Sequence, residues 1–143
     1  MRKVSKEIAQ AFIFNKKKKI GNSNTIPRGS ILTRSASGLY LHDNKIAWWE
    51  NFHPDYLSDK FMPNSRKDNN NIHLCFSMCG WGTPTTRERL NTLFALLFKN
   101  DLVQSSQKNY EQFLHVNGAD FKIDDDAIFT LRKVNNCPVF LDY

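Results

Sequence analysis

Three cysteines, six glycines and five prolines are all that 143 residues contain of these types, and long apolar runs are absent. No stretch approaches the ~18 apolar residues needed to cross a bilayer, so no membrane span is expected. Ala11-Phe12-Ile13-Phe14 is too short for the apolar core of a signal peptide, and lysines follow it. Cys75, Cys79 and Cys137 make an odd number of thiols. If Cys75 and Cys79 share one strand, four residues at ~3.3 Å each put their Cα atoms ~13 Å apart. A disulfide tolerates no more than about 7 Å, which points to reduced thiols and a cytosolic setting. There is no internal repeat, and low complexity is confined to short Lys and Asn runs.

Acidic residues are nearly missing from the N-terminal quarter. Met1 to Arg34 holds Arg2, Lys3, Lys6, Lys16, Lys17, Lys18, Lys19, Arg28 and Arg34 against the lone acid Glu7, a charge of +8 in a chain whose net charge is +6. The rest therefore sums to −2. A basic segment on a nearly neutral body suits an anionic partner, although a lysine run also serves as a solvated loop.

What is present is a domain-sized apolar inventory. Apolar residues make up 41% of the chain, with Phe at 11 positions, which excludes a disordered protein. At this length a single α+β domain spanning 1–143 is expected, with a basic N-terminal helix and loop over 1–24 and an ordered inserted loop over 51–71.

The spacing of Ile8, Ala11 and Phe12 predicts a helix from Ser5 to Asn15, capped by Ser5. Period-two patterning follows. A turn at Asp43-Asn44 would place Leu39, Leu41, Ile46 and Trp48 on the core side of a hairpin, and Tyr40, His42, Lys45, Ala47 and Trp49 on the outer side. Ser30 to Arg34 reads as a preceding strand. Ile72 to Cys79 alternates as another, with Ile72, Leu74, Phe76 and Met78 on one face.

The most informative stretch runs from Gly80 to Asn91, as strand end, Gly-rich turn and helix start. Thr85 and Glu88 have capping-box spacing, with Pro84 at the junction. The helix is expected over Thr86 to Phe98, burying Leu90, Leu93, Phe94 and Leu97. Asn117-Gly118 signals a type I′ hairpin that pairs Val116 with Ala119, Leu114 with Phe121 and Gln112 with Ile123. Tyr110 extends that core face, and Ala127 to Arg132 supplies a last strand. The sum is a mostly antiparallel sheet of about five to six strands with two helices on one face.

Two segments, Leu41-His42-Asp43-Asn44-Lys45-Ile46-Ala47 and Gly80-Trp81-Gly82-Thr83-Pro84-Thr85-Thr86-Arg87-Glu88-Arg89-Leu90-Asn91, with Gly21-Asn22 ahead of them, resemble a family of small bacteriophage proteins of uncharacterised function. The resemblance spans about Ser5 to Ile123. The chain departs from it in having Asp43 where Gly is usual and in carrying the 51–71 insertion. The resemblance implies a phage or prophage origin, hence the host cytosol or the phage particle, and it implies no activity.

Enzymatic chemistry is poorly signalled. His73, Cys75 and Cys79 on one strand lie too far apart to share a metal, and no elbow frames either cysteine. Asp124-Asp125-Asp126 lacks the rest of an EF-hand, and there is no P-loop or dinucleotide fingerprint. No enzyme, cofactor or metal is expected. The aromatic and basic residues carry the functional expectation. Tyr40, Lys45 and Trp49 on an outer sheet face, extended by Lys16, Lys17, Lys18, Lys19, Arg28 and Arg34, have the composition of a single-stranded DNA or RNA platform. Arg87 and Arg89 at a helix N-terminus would add a phosphate site. The same patch equally suits a protein-interaction module, such as an inhibitor of a host factor or a component of a phage assembly.

Overall fold

The computed structural model describes residues 2–27, 36–50, 73–98, 102–134 and 137–141. Within them the chain runs α1 (Lys3–Ile13), β1 (Lys18–Ile20), β2 (Ser23–Ile26), β3 (Gly38–Leu41), β4 (Asn44–Glu50), β5 (His73–Phe76), α2 (Pro84–Leu97), β6 (Val103–Lys108), β7 (Glu111–Val116), β8 (Ala119–Ile123), β9 (Phe129–Val134) and β10 (Cys137–Leu141). The α+β class is as the patterning indicates. The strands form two antiparallel sheets, a seven-stranded one in the order β1-β2-β3-β4-β5-β9-β10 and a three-stranded one in the order β6-β7-β8. Both helices pack against the large sheet and each other, and α2 also carries β6. Among the described residues no helix is long and apolar enough to cross a membrane. The expected strand at Ser30 to Arg34, the 51–71 insertion, Arg28 and Arg34 lie outside the described residues.

One core unites these layers. Ile8 and Phe12 of α1, Leu39 and Ile46 of the first hairpin, Leu90, Leu93 and Phe94 of α2, Leu114 of β7 and Leu131 of β9 belong to a single buried cluster. Three hairpin turns have both central residues at positive φ, the type I′ condition: His42-Asp43, Asn109-Tyr110 and Asn117-Gly118. Only the last is built from the residues that favour it. Its register is as expected, Val116 opposite Ala119, Leu114 opposite Phe121 and Gln112 opposite Ile123. Tyr110 is a correction: it occupies the β6–β7 turn and is 94% exposed.

The first hairpin also departs from expectation. Its turn is His42-Asp43, so Leu41 pairs with Asn44 and Tyr40 with Lys45. Leu39 then pairs with Ala47, leaving Ile46 as the extra residue of a β-bulge. Ile46 and Ala47 are both buried, which inverts the alternation beyond them. Trp49 turns into the core, opposite Leu74. Its ring stacks on Phe12 with centroids 5.1 Å apart and 9° between the planes. The bulged backbone is satisfied from the chain after β5. The Ile46 carbonyl accepts from the Ser77 N–H at 2.9 Å, and the Lys45 carbonyl accepts from the Cys79 thiol at 3.0 Å. Gly38 is required beside it, since a Cβ there would lie 2.8 Å from the Ala47 carbonyl oxygen.

The helix starts are shifted as well. Thr83, not Thr85, is the N-cap of α2, accepting from the Thr86 N–H at 3.2 Å, and Pro84 takes the first helical position. Glu88 is thereby released from capping and joins a polar knot between the helices. Its carboxylate accepts from the Ser5 hydroxyl and from Arg89 Nη1, each at 2.5 Å, with Arg2 Nη1 at 3.4 Å. Arg89 Nε also donates to Ser23 Oγ on β2 at 3.0 Å. Ser5, expected as a cap, is instead a buried residue inside α1, whose N-cap is Arg2. Strand β5 ends at Phe76, so Cys79 lies beyond it; the Cys75 sulfur is 3.2 Å from Thr130 Oγ1, and the Cys79 thiol donates to the Lys45 carbonyl.

Leu93, fully buried on α2, sets the first prediction. Leu93→Ala should lower stability by roughly 2–5 kcal/mol in urea titration. An unchanged midpoint would contradict the placement of α2. The knot sets the second. Partial burial works to raise the Glu88 pKa, but the Ser5 hydrogen bond and the charges of Arg2 and Arg89 outweigh it and hold it below the ordinary carboxylate value. Its folded pKa being depressed, the contribution to stability is complete above the unfolded pKa of about 4.3 and disappears as pH falls through the folded value. Wild type and Glu88→Gln should therefore differ in unfolding midpoint at pH 7 and converge as acid is added. A constant difference down to pH 3 would contradict the linkage.

Candidate functional site

The two segments singled out in the sequence meet at one open cleft of about 510 Å³. Leu41, Ile46 and Met78 form its apolar floor, all three buried. His42 and Asn44 reach its rim from the type I′ turn, while Trp81, Thr83, Thr85 and Thr86 reach it from the start of α2. The bulge puts Ile46 on this floor, and the Thr83 cap fixes where the helix begins.

Trp81 stands at the lip and is 63% exposed. Its loop is anchored from below. Arg87 Nη1 donates to the Gly82 carbonyl at 2.6 Å and to the side-chain oxygens of Gln107 and Gln112 at 2.8 and 3.1 Å. A Cβ at Gly82 would lie 2.5 Å from the Gln112 amide nitrogen, so a larger residue there would displace the Gln112 side chain that Arg87 holds. The cleft therefore has a rigid floor, a fixed wall and one large aromatic ring presented to solvent. Its volume lies in the range of ligand and side-chain pockets.

The residues expected to hold nucleic acid are only partly brought together. Lys19, Asn24, Tyr40 and Lys45 fall in one cross-strand row through β1, β2, β3 and β4. Lys16, Lys17, Lys18 and Lys19 are exposed, with Lys18 Nζ 4.0 Å from Glu7. Tyr40 is half-buried and its hydroxyl donates to the Ala36 carbonyl at 2.6 Å. Burial pushes its pKa up.

Trp49 is a correction. It is 6% exposed on the core side, because the bulge sends Trp48 outward in its place. Lys45 Nζ sits 5.7 Å from the Trp48 ring centroid. Arg89 is a second correction, being 7% exposed and committed to Ser5, Ser23 and Glu88. Arg87 is half-buried and holds the Gly82 loop. Neither arginine presents a phosphate site. Among the described residues no cluster of three or more His, Cys, Asp or Glu is arranged to hold a metal.

Most residues lining the cleft, though not Met78, belong to the two sequence motifs, yet the pattern gives no sign of the cleft itself. Period and spacing place Leu41, Ile46 and Met78 on an apolar face without revealing that the face is left open at one end. Comparison with known proteins adds no constraint, since no family model, no curated protein and no solved structure matches the chain.

The two tryptophans should separate cleanly on substitution. Trp49→Ala removes a ring packed on Phe12 and should cost about 3–5 kcal/mol, whereas Trp81→Ala should stay within about 0.5 kcal/mol of wild type. Chemical denaturation followed by far-UV circular dichroism measures both, and equal costs would contradict the assignment.

Proposed function

We propose that this protein is a protein-interaction module whose cleft receives an apolar anchor side chain of a partner. The observation that carries this is the convergence of the β3–β4 turn and the start of α2 on an apolar floor with an exposed tryptophan at its lip. Interface energy concentrates where an aromatic anchor meets a water-excluding pocket, and tryptophan is the residue type most enriched there. Burial of Trp49 and commitment of Arg87 and Arg89 remove three of the contacts on which a nucleic-acid platform depended. The phage-type origin implied by the sequence resemblance makes a host or phage protein the fitting partner.

A second reading keeps one specific support. The row of Lys19, Tyr40 and Lys45, with Trp48 beside it, retains cations and rings on one sheet face. Single-stranded DNA or RNA is the ligand of that reading.

One experiment decides between them. A displayed random-peptide library selected on the protein should yield binders with an aromatic or aliphatic anchor. Their affinity should change little between 50 and 500 mM salt and fall at least ten-fold on Trp81→Ala or Thr85→Lys. Oligonucleotide binding at micromolar concentration that weakens steeply with salt and survives both substitutions would favour the second reading and overturn the first.

A further inference from the structure

Away from the cleft, the outer face of the three-stranded sheet brings a serine, a histidine and an aspartate into one hydrogen-bonded chain. Ser106 is on β6, His115 on β7 and Asp120 on β8, and His115 and Asp120 are directly opposite each other in register. Ser106 Oγ lies 2.7 Å from His115 Nε2. His115 Nδ1 is paired with the Asp120 carboxylate. An ionised carboxylate only accepts, so Nδ1 carries the hydrogen, and Nε2 of the neutral ring is left as the acceptor for the Ser106 hydroxyl.

We infer that Ser106 is an activated nucleophile, with His115 as its general base and Asp120 as the positioning residue, and that it reacts with small carboxylic esters. The three strands suit this. Cross-strand pairing holds Asp120 against the imidazole, and the diagonal from His115 to Ser106 follows from a fixed register rather than from a loop. Ser106 is half-buried and the His115 side chain is 36% exposed, so the pair is open to a small substrate from the solvent side. Phe113 is opposite Ser106 in register and half-buried, an apolar neighbour for an acyl group.

The reaction balances without any co-reactant but water. Ser106 Oγ attacks the ester carbonyl carbon as its proton passes to His115 Nε2, forming the new C–O bond. The tetrahedral intermediate expels the alkoxy group, which takes that proton and leaves as the alcohol. Water, losing a proton to His115, then attacks the acyl-serine. The acyl–Oγ bond breaks, carboxylic acid is released and the proton returns to Ser106. On an open sheet face the acceleration comes from base activation, for which about 10²–10⁴-fold is usual.

The folded full chain should be treated with a fluorophosphonate probe and, separately, with p-nitrophenyl acetate. Peptide mapping should find the label on Ser106 ahead of every other serine, with a burst of one nitrophenolate per chain. Labelling should fall at least ten-fold in His115→Gln and Asp120→Asn and recover in part in Asp120→Glu, with circular dichroism and thermal midpoint reporting that each variant is folded. A wild-type protein unlabelled at Ser106, or labelled equally in His115→Gln, would reduce the three residues to a cross-strand hydrogen-bond chain and overturn the inference.

Discussion

The single inserted residue in β4 governs more of this molecule than any other local feature. With Ile46 opposite no partner of its own, two successive side chains, Ile46 and Ala47, turn inward, and everything after them changes face. Trp49 becomes the ring that joins the sheet to α1 through Phe12. Ile46 becomes part of the cleft floor beneath the turn. The carbonyls freed by the irregularity are taken up by Ser77 and Cys79, which draws the end of β5 across the hairpin toward the start of α2. Core packing and cleft thus share one cause. Among the described residues the buried indole nitrogen of Trp49 has no hydrogen-bond partner.

Much of this architecture is written in residue pattern, and where it is not, the reason is specific. The stripe of Leu90, Leu93 and Phe94 marks α2, and Asn117-Gly118 marks its hairpin with the right register, because each rests on a local rule with no close competitor. The first hairpin has a competitor. Asp43-Asn44 looks like the better turn, yet His42-Asp43 forms it, with both residues at positive φ; Leu39 and Leu41 are buried, as either register would have them, so their apolar pattern does not choose between the two turns. The bulge leaves no sequence signature at all, so the faces of Trp48 and Trp49 are exchanged. β6 is a quieter case. Its residues, Val103 to Lys108, are mostly polar, and it is secured by Asn91 of α2, which accepts from the Ser105 N–H at 2.6 Å and donates to the Ser105 carbonyl at 3.0 Å. A side chain imitating a neighbouring strand is a tertiary fact that periodicity does not contain.

The candidate site was visible as motif and invisible as shape. Residues 41–46 and 81–86 stand out by their turn and capping chemistry, but their meeting depends on β5 running between them and on the Arg87 contact with the Gly82 carbonyl. Charge misled in the same region. Arg87 and Arg89 resemble an anion site only as long as their partners, Gln107, Gln112, Ser5, Ser23 and Glu88, are unknown.

The lysine run has a consequence that holds whatever the partner is. Among the described residues β1 is one of the two edge strands of the seven-stranded sheet; it is only three residues long, and Lys18 and Lys19 occupy two of its three positions. A second copy approaching that rim in the manner of a sheet extension would set ammonium against ammonium, with Lys16 and Lys17 adding to the repulsion. Short, lysine-studded rims are how β proteins prevent open-ended stacking. Part of the N-terminal charge thus serves colloidal integrity, and acetylating those amines would be felt in solubility before it was felt in folding.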